Sequence, residues 1–165
     1  MLYFVPLWIV SSGNLWGGIS PYYHGLGLLW AVLSFALVGF VEELIFRGFL
    51  FKAMLKGGEA RTAIIVSAAT FGAGHIVNLL TGHELAETLI QIVFAVAIGF
   101  IFTMVYYKCG SLLPLVLAHS AIDVFSVFAV DNPVADALYI AVTIVTAVLY
   151  GRYLSRLETP PIMEC

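Results

Sequence analysis
Long apolar runs, each closed by a glycine or opened by a proline, divide this chain into segments of helical length. They predict helices over residues 2–18, 25–51, 61–80, 85–107, 112–130 and 133–153. Gly57-Gly58 closes the second, Thr81-Gly82 the third and Gly110-Ser111 the fourth; Pro114 opens the fifth, and Asn132-Pro133 opens the sixth. The first is interrupted by Ser11-Ser12-Gly13-Asn14 and is read as a short first span. A bilayer core of about 30 Å takes roughly 20 helical residues to cross, and most of these runs reach that length. The expected fold is all-α: a polytopic transmembrane helical bundle of about six helices. Residues 1–24 would form a short N-terminal span and outer loop, 25–155 the transmembrane core, and 156–165 a cytoplasmic tail.

Composition removes the soluble alternative. Of 165 residues, 62% are hydrophobic and 10% charged, with mean hydropathy +1.04, too apolar for a soluble domain. A net charge of -3 with no basic face excludes nucleic acid as a partner. The N-terminal run lacks the basic segment of a secretory signal. Cys109 and Cys165 form no disulfide or metal motif. Threading alternate crossings puts Lys52, Lys56, Arg61, Lys108, Arg152 and Arg156 on one face, which the positive-inside rule assigns to the cytoplasm.

Against this background a few polar residues stand out. Glu42, Glu43 and Arg47 lie inside the second apolar run, His75 inside the third, and His119 with Asp123 inside the fifth. An ionisable group at membrane depth costs about 2.5–3.5 kcal/mol on insertion scales and is retained where it has a task. At 1.5 Å per helical residue, Glu42 falls ~15 Å, His75 ~21 Å, His119 ~10 Å and Asp123 ~16 Å from the cytoplasmic end, so three helices bring polar side chains to one layer. Glu43 and Arg47, at i and i+4, are expected to pair and give structural support. Glu42 points about 100° away, free to take a proton from water, and His75 would share that water, brought close by small Gly72-Ala73-Gly74. Asp123 either orients His119, on whose helix face it lies, or acts directly.

Glu42-Glu43-x-x-x-Arg47, Phe71-x-x-x-His75 and His119-x-x-x-Asp123, in that order within apolar helices, resemble the CPBP family: CAAX endopeptidases of the Ras-converting type and their bacteriocin-processing and abortive-infection-like relatives. Phe46-Arg47-Gly48 and Gly110-Ser111-Leu112 match as well, over roughly residues 35–130. The resemblance implies that residues 25–155 form a protease core in which Glu42 activates water together with His75, while His119 and position 123 stabilise the oxyanion. Position 123 departs from the pattern: Asn is common there in the prenyl-protein endopeptidases. An ionised Asp123 would repel an oxyanion, so it must be protonated, orient His119 or bind a metal.

The expected activity is therefore an intramembrane endopeptidase cleaving a peptide bond at the cytoplasmic side of the membrane. Its partners would be the bilayer and a peptide or protein substrate, lipidated or membrane-embedded. The metal-free glutamate mechanism is favoured, with no cofactor; a divalent metal, zinc, held by Glu42, His75, His119 and Asp123 is the alternative, although no His-Glu-x-x-His motif is present. Two other classes use the same polar set: a non-catalytic membrane immunity or scaffold protein, and a small ion or proton pathway.

Overall fold
In the computed structural model, which describes residues 4–157, the chain is helical nearly throughout. Helices α1 (Val5–Ser11), α2 (Gly25–Glu43), α3 (Lys52–Gly57), α4 (Ala60–Gly74), α5 (Leu85–Cys109), α6 (Leu113–Ser126) and α7 (Pro133–Ser155) follow in order. A wide π-helical segment, Leu44–Phe51, joins α2 to α3 without a break, and a 3-10 segment, His75–Thr81, extends α4. Four helical stretches are long and apolar enough to cross a membrane: Gly25–Gly57, Ala60–Thr81, Leu85–Cys109 and Pro133–Ser155. The caps are those the sequence punctuation predicts. Gly110 ends α5 in the left-handed conformation, φ 69°, and its N–H bonds back to the Tyr106 carbonyl at 2.8 Å. Asn132 Oδ1 accepts from the Ala135 amide at 3.2 Å just ahead of Pro133.

Two compact units divide the chain: Met1–Ile45 with Ser111–Val142, and Phe46–Gly110 with Thr143–Cys165. In the first, α2 and α6 lie in close contact, because Gly39 has no Cβ: one added there would come within 2.8 Å of the Ser120 backbone nitrogen. The helix predicted over residues 2–18 is not continuous. Its described part is the seven-residue α1, about 10 Å long at 1.5 Å per residue, followed by a 3-10 turn, Gly13–Leu15. It lies on α6, with Leu7, Val10 and Ser11 buried. Ser11 Oγ donates to the Ala118 carbonyl at 3.1 Å and Asn14 Nδ2 to the Ile122 carbonyl at 2.7 Å. Helix α6 is also shorter than the predicted 112–130. After Ser126 the chain turns extended, and Ile19 and Ala129 form an isolated antiparallel bridge, with the Ser20 amide donating to the Phe128 carbonyl at 2.9 Å.

In the second unit, α4 and α5 pack through small residues: Gly72 abuts Val96 and the Ile92 carbonyl, and Gly99 abuts Phe71 and Ala68. Gly151 of α7 abuts Phe100. The expected tail from residue 158 onward, including Cys165, lies outside the described residues.

Candidate active site
The contact of α2 with α6 fixes the polar cluster of the first unit. Ser120 Oγ donates to the Ala36 carbonyl at 2.8 Å, pinning α6 beside the last two turns of α2. From there Glu42 and Glu43 fall one turn beyond Gly39, alongside His119. Glu43 is fully buried, and its Oε1 accepts a hydrogen bond at 2.8 Å from His119 Nδ1, whose side chain is 6% exposed. A carboxylate only accepts, so the proton on this side sits on Nδ1 and the ring orientation is set. The other nitrogen, Nε2, faces Glu42 Oε2 at 3.4 Å and Asp123 Oδ2 at 3.7 Å. One buried imidazole thus has three carboxylates around it. Glu42, with 33% of its side chain accessible, is the most open of the three; Asp123 keeps 21%.

Glu42, Glu43, His119 and Asp123 all stand out in the sequence as candidates, and this unit brings the four together. At 3.7 Å, Asp123 is beyond hydrogen-bond range of the ring, whereas Glu43 makes the short bond. Asp123 Oδ2 is buried without a hydrogen bond among the described residues. Two further contributors were missed. Asn14 holds the carbonyl of Ile122, next to Asp123. Tyr139 is buried, with its ring against Gly13 and 5.7 Å from that of Trp16. The sequence did not set Tyr139 apart, because the same apolar run also holds Tyr150 and Tyr153.

Arg47 and His75 belong to the second unit. Arg47 is fully buried: Nη2 donates to the Gly99 carbonyl at 3.0 Å, Nε to Thr103 Oγ1 at 3.3 Å, and the guanidinium lies 4.6 Å from the centre of the Phe71 ring. A carbonyl, a hydroxyl and an aromatic face hold Arg47 within its unit. His75 caps α4 where the helix tightens into the 3-10 segment. Its Nδ1 donates to the Phe71 carbonyl at 3.3 Å, which leaves Nε2 as the acceptor nitrogen. Of the small residues before it, Gly72 packs on α5, and an added Cβ at Gly74 would meet nothing within 4 Å.

Zinc requires donors converging at about 2.0–2.2 Å from one point. Among the described residues no three His, Cys, Asp or Glu side chains form such a group.

The family description "Type II CAAX prenyl endopeptidase Rce1-like" matches residues 24–125, more than half of the chain and the whole stretch from Glu42 to Asp123. The chain belongs to this family. Membership agrees with the resemblance carried by the three motifs and, with the four long apolar helices, makes the protein an integral membrane protease acting on a peptide or protein substrate in a lipid environment. No curated protein and no solved structure matches the chain. Helix α1 lies outside the matched range, as does the whole of α7 with Tyr139.

Proposed function
We propose that the protein is a CAAX-protease-like endopeptidase in which Glu42 is the general base, acting on substrates at the cytoplasmic side of the membrane. The observation that carries this reading is the buried His119 imidazole held by Glu43 and faced by Glu42, the most accessible carboxylate of the cluster. Glu42 takes a proton from water, the resulting hydroxide attacks the scissile carbonyl, and the same proton passes to the leaving amine as the tetrahedral intermediate collapses. His119 as imidazolium keeps one N–H on Glu43 and offers the other to the oxyanion; the surrounding carboxylates supply its counter-charge. Asp123 acts as a neutral acid, donating its O–H to the same oxygen, because an ionised group there would oppose the developing charge. Glu43 is a positioning residue. His75 is assigned to the water on its motif, and its acceptor Nε2 suits that task. Arg47 supports the fold of its own unit.

The test uses purified protein in detergent or proteoliposomes with prenylated and unprenylated CAAX peptides, cleavage being read by mass spectrometry. Wild type cleaves, Glu42→Gln does not, and both melt at similar temperatures. Equal cleavage by the two, or by neither across a broad peptide library, refutes the assignment. A proton flux into liposomes that depends on Glu42 would transfer the cluster to a conduction role.

A further inference from the structure
Within the second unit, α4, α5 and α7 enclose a cavity of about 890 Å³. It exists because the facing positions are small: Ala68 on α4, Ala97 on α5 and Ala147 on α7 leave space that larger residues would fill. Its wall is otherwise aliphatic and aromatic, and Ile65, Val93 and Val148 on its lining are about half exposed, so it opens where lipid chains lie. The volume falls within the range of about 300–1,000 Å³ typical of small-molecule sites. Polar character is confined to one end. Arg61 in the first turn of α4, Lys108 in the last turn of α5 and Arg152 in the last turn of α7 all line it there, and no acidic side chain does among the described residues. Lys108 is 9% exposed, and its Nζ donates to the Leu157 carbonyl at 2.6 Å, which holds the end of α5 against the chain that leaves α7. Arg61 and Arg152 are exposed on either side.

We propose that this cavity is a binding site for an anionic glycerophospholipid, with an acyl chain between α4, α5 and α7 and the headgroup phosphate between Arg61 and Arg152. An empty groove in a bilayer forfeits dispersion contacts that a hydrocarbon chain restores. Clustered cations at the membrane surface select the headgroup. The three cations sit on the side that the loop charges assign to the cytoplasm, the leaflet in which anionic lipid faces basic residues. The site lies within one unit and does not depend on the proposed hydrolytic chemistry.

The full chain, delipidated in detergent, is offered equal amounts of phosphatidylglycerol and phosphatidylcholine with identical acyl chains, and retained lipid is read by native mass spectrometry. The expected result is one phosphatidylglycerol held in preference. Each cation near the headgroup contributes about fivefold, so Arg61→Gln with Arg152→Gln lowers the preference about thirtyfold. Arg61→Lys with Arg152→Lys keeps most of it, and Ala97→Phe, which fills the cavity, lowers retention of both lipids. The wild-type competition requires no variant to fold. Equal retention of the two lipids by wild type, an unchanged preference in the double Gln variant, or unchanged retention in Ala97→Phe overturns the proposal. So does stoichiometric displacement of phosphatidylglycerol by a farnesylated peptide, which would give the cavity to a substrate's isoprenoid.

Discussion
Replacing Gly39 by alanine should disable the site without touching a polar residue. The new Cβ would lie 2.8 Å from the Ser120 nitrogen, 3.0 Å from its Cα and 3.1 Å from the His119 carbonyl carbon. All three are backbone atoms of α6, so no side chain can swing aside. Ordinary contact begins near 3.4 Å, and α2 and α6 must therefore part by about 0.6 Å at this level. One turn further on, the bond from His119 Nδ1 to Glu43 is 2.8 Å; the same displacement takes it to about 3.4 Å, past a useful hydrogen bond. Overpacking of this kind costs about 1–3 kcal/mol of stability, and displacement of catalytic groups by about 1 Å slows the reaction about 100-fold, so turnover is expected to drop by about one to two orders of magnitude. Gly27→Ala is the control: it is on the same helix, its Cβ would meet nothing within 4 Å, and it should leave turnover unchanged with equal or slightly higher stability. The assay is peptide cleavage under saturating substrate, with thermal unfolding in the same detergent. Wild-type turnover in Gly39→Ala, or an equal loss in Gly27→Ala, would refute the claim that this helix contact sets the cluster.

The remaining expectations follow from individual contacts. Glu43→Gln removes the charged acceptor of a fully buried bond worth about 1.5–3 kcal/mol, so a loss of about 10- to 150-fold is expected in kcat, with little change in KM; an effect confined to KM would count against positioning. Asp123→Asn supplies an amide donor where a neutral acid is invoked and should retain activity, measured as kcat/KM; complete loss would mean that the carboxylate itself is required. Prolonged dialysis against a strong chelator should leave cleavage intact, because the proposed mechanism draws its base from Glu42 and uses no metal; loss restored by added zinc would overturn it.

The sequence made the polar set legible through contrast: a carboxylate or imidazole is conspicuous in an apolar run, whatever the fold. It also marked the helix ends, because Gly110 and Asn132-Pro133 act through local backbone chemistry. Pairing was harder to read. Spacing on one helix placed Asp123 beside His119, but it could not show that the ring's short bond goes to Glu43, 76 residues away, beside the Gly39 contact. A glycine in an apolar run carries no label saying which helix will approach it. The packing of the N-terminal segment was hidden for a related reason. Its hydrophobicity does not say which helix it meets; the tertiary hydrogen bonds of Ser11 and Asn14 show that it is α6.

Adjacent glutamates differ in exposure although both lie in one regular helix. The α-helix runs through Glu42 and ends at Glu43, and the wider winding begins only at Leu44. Such insertions are frequent at functional sites, since they let a helix leave one packing surface without breaking. Up to that junction α2 is held on α6 by Gly39 and Ser120, which commits Glu43 to full burial against His119. Glu42, about 100° around the helix, lies at the edge of that contact and keeps a third of its side chain accessible. A buried glutamate next to a histidine is suited to holding it, and one that water can reach is suited to moving protons. The angular step of the helix, more than any difference in residue type, separates their two environments.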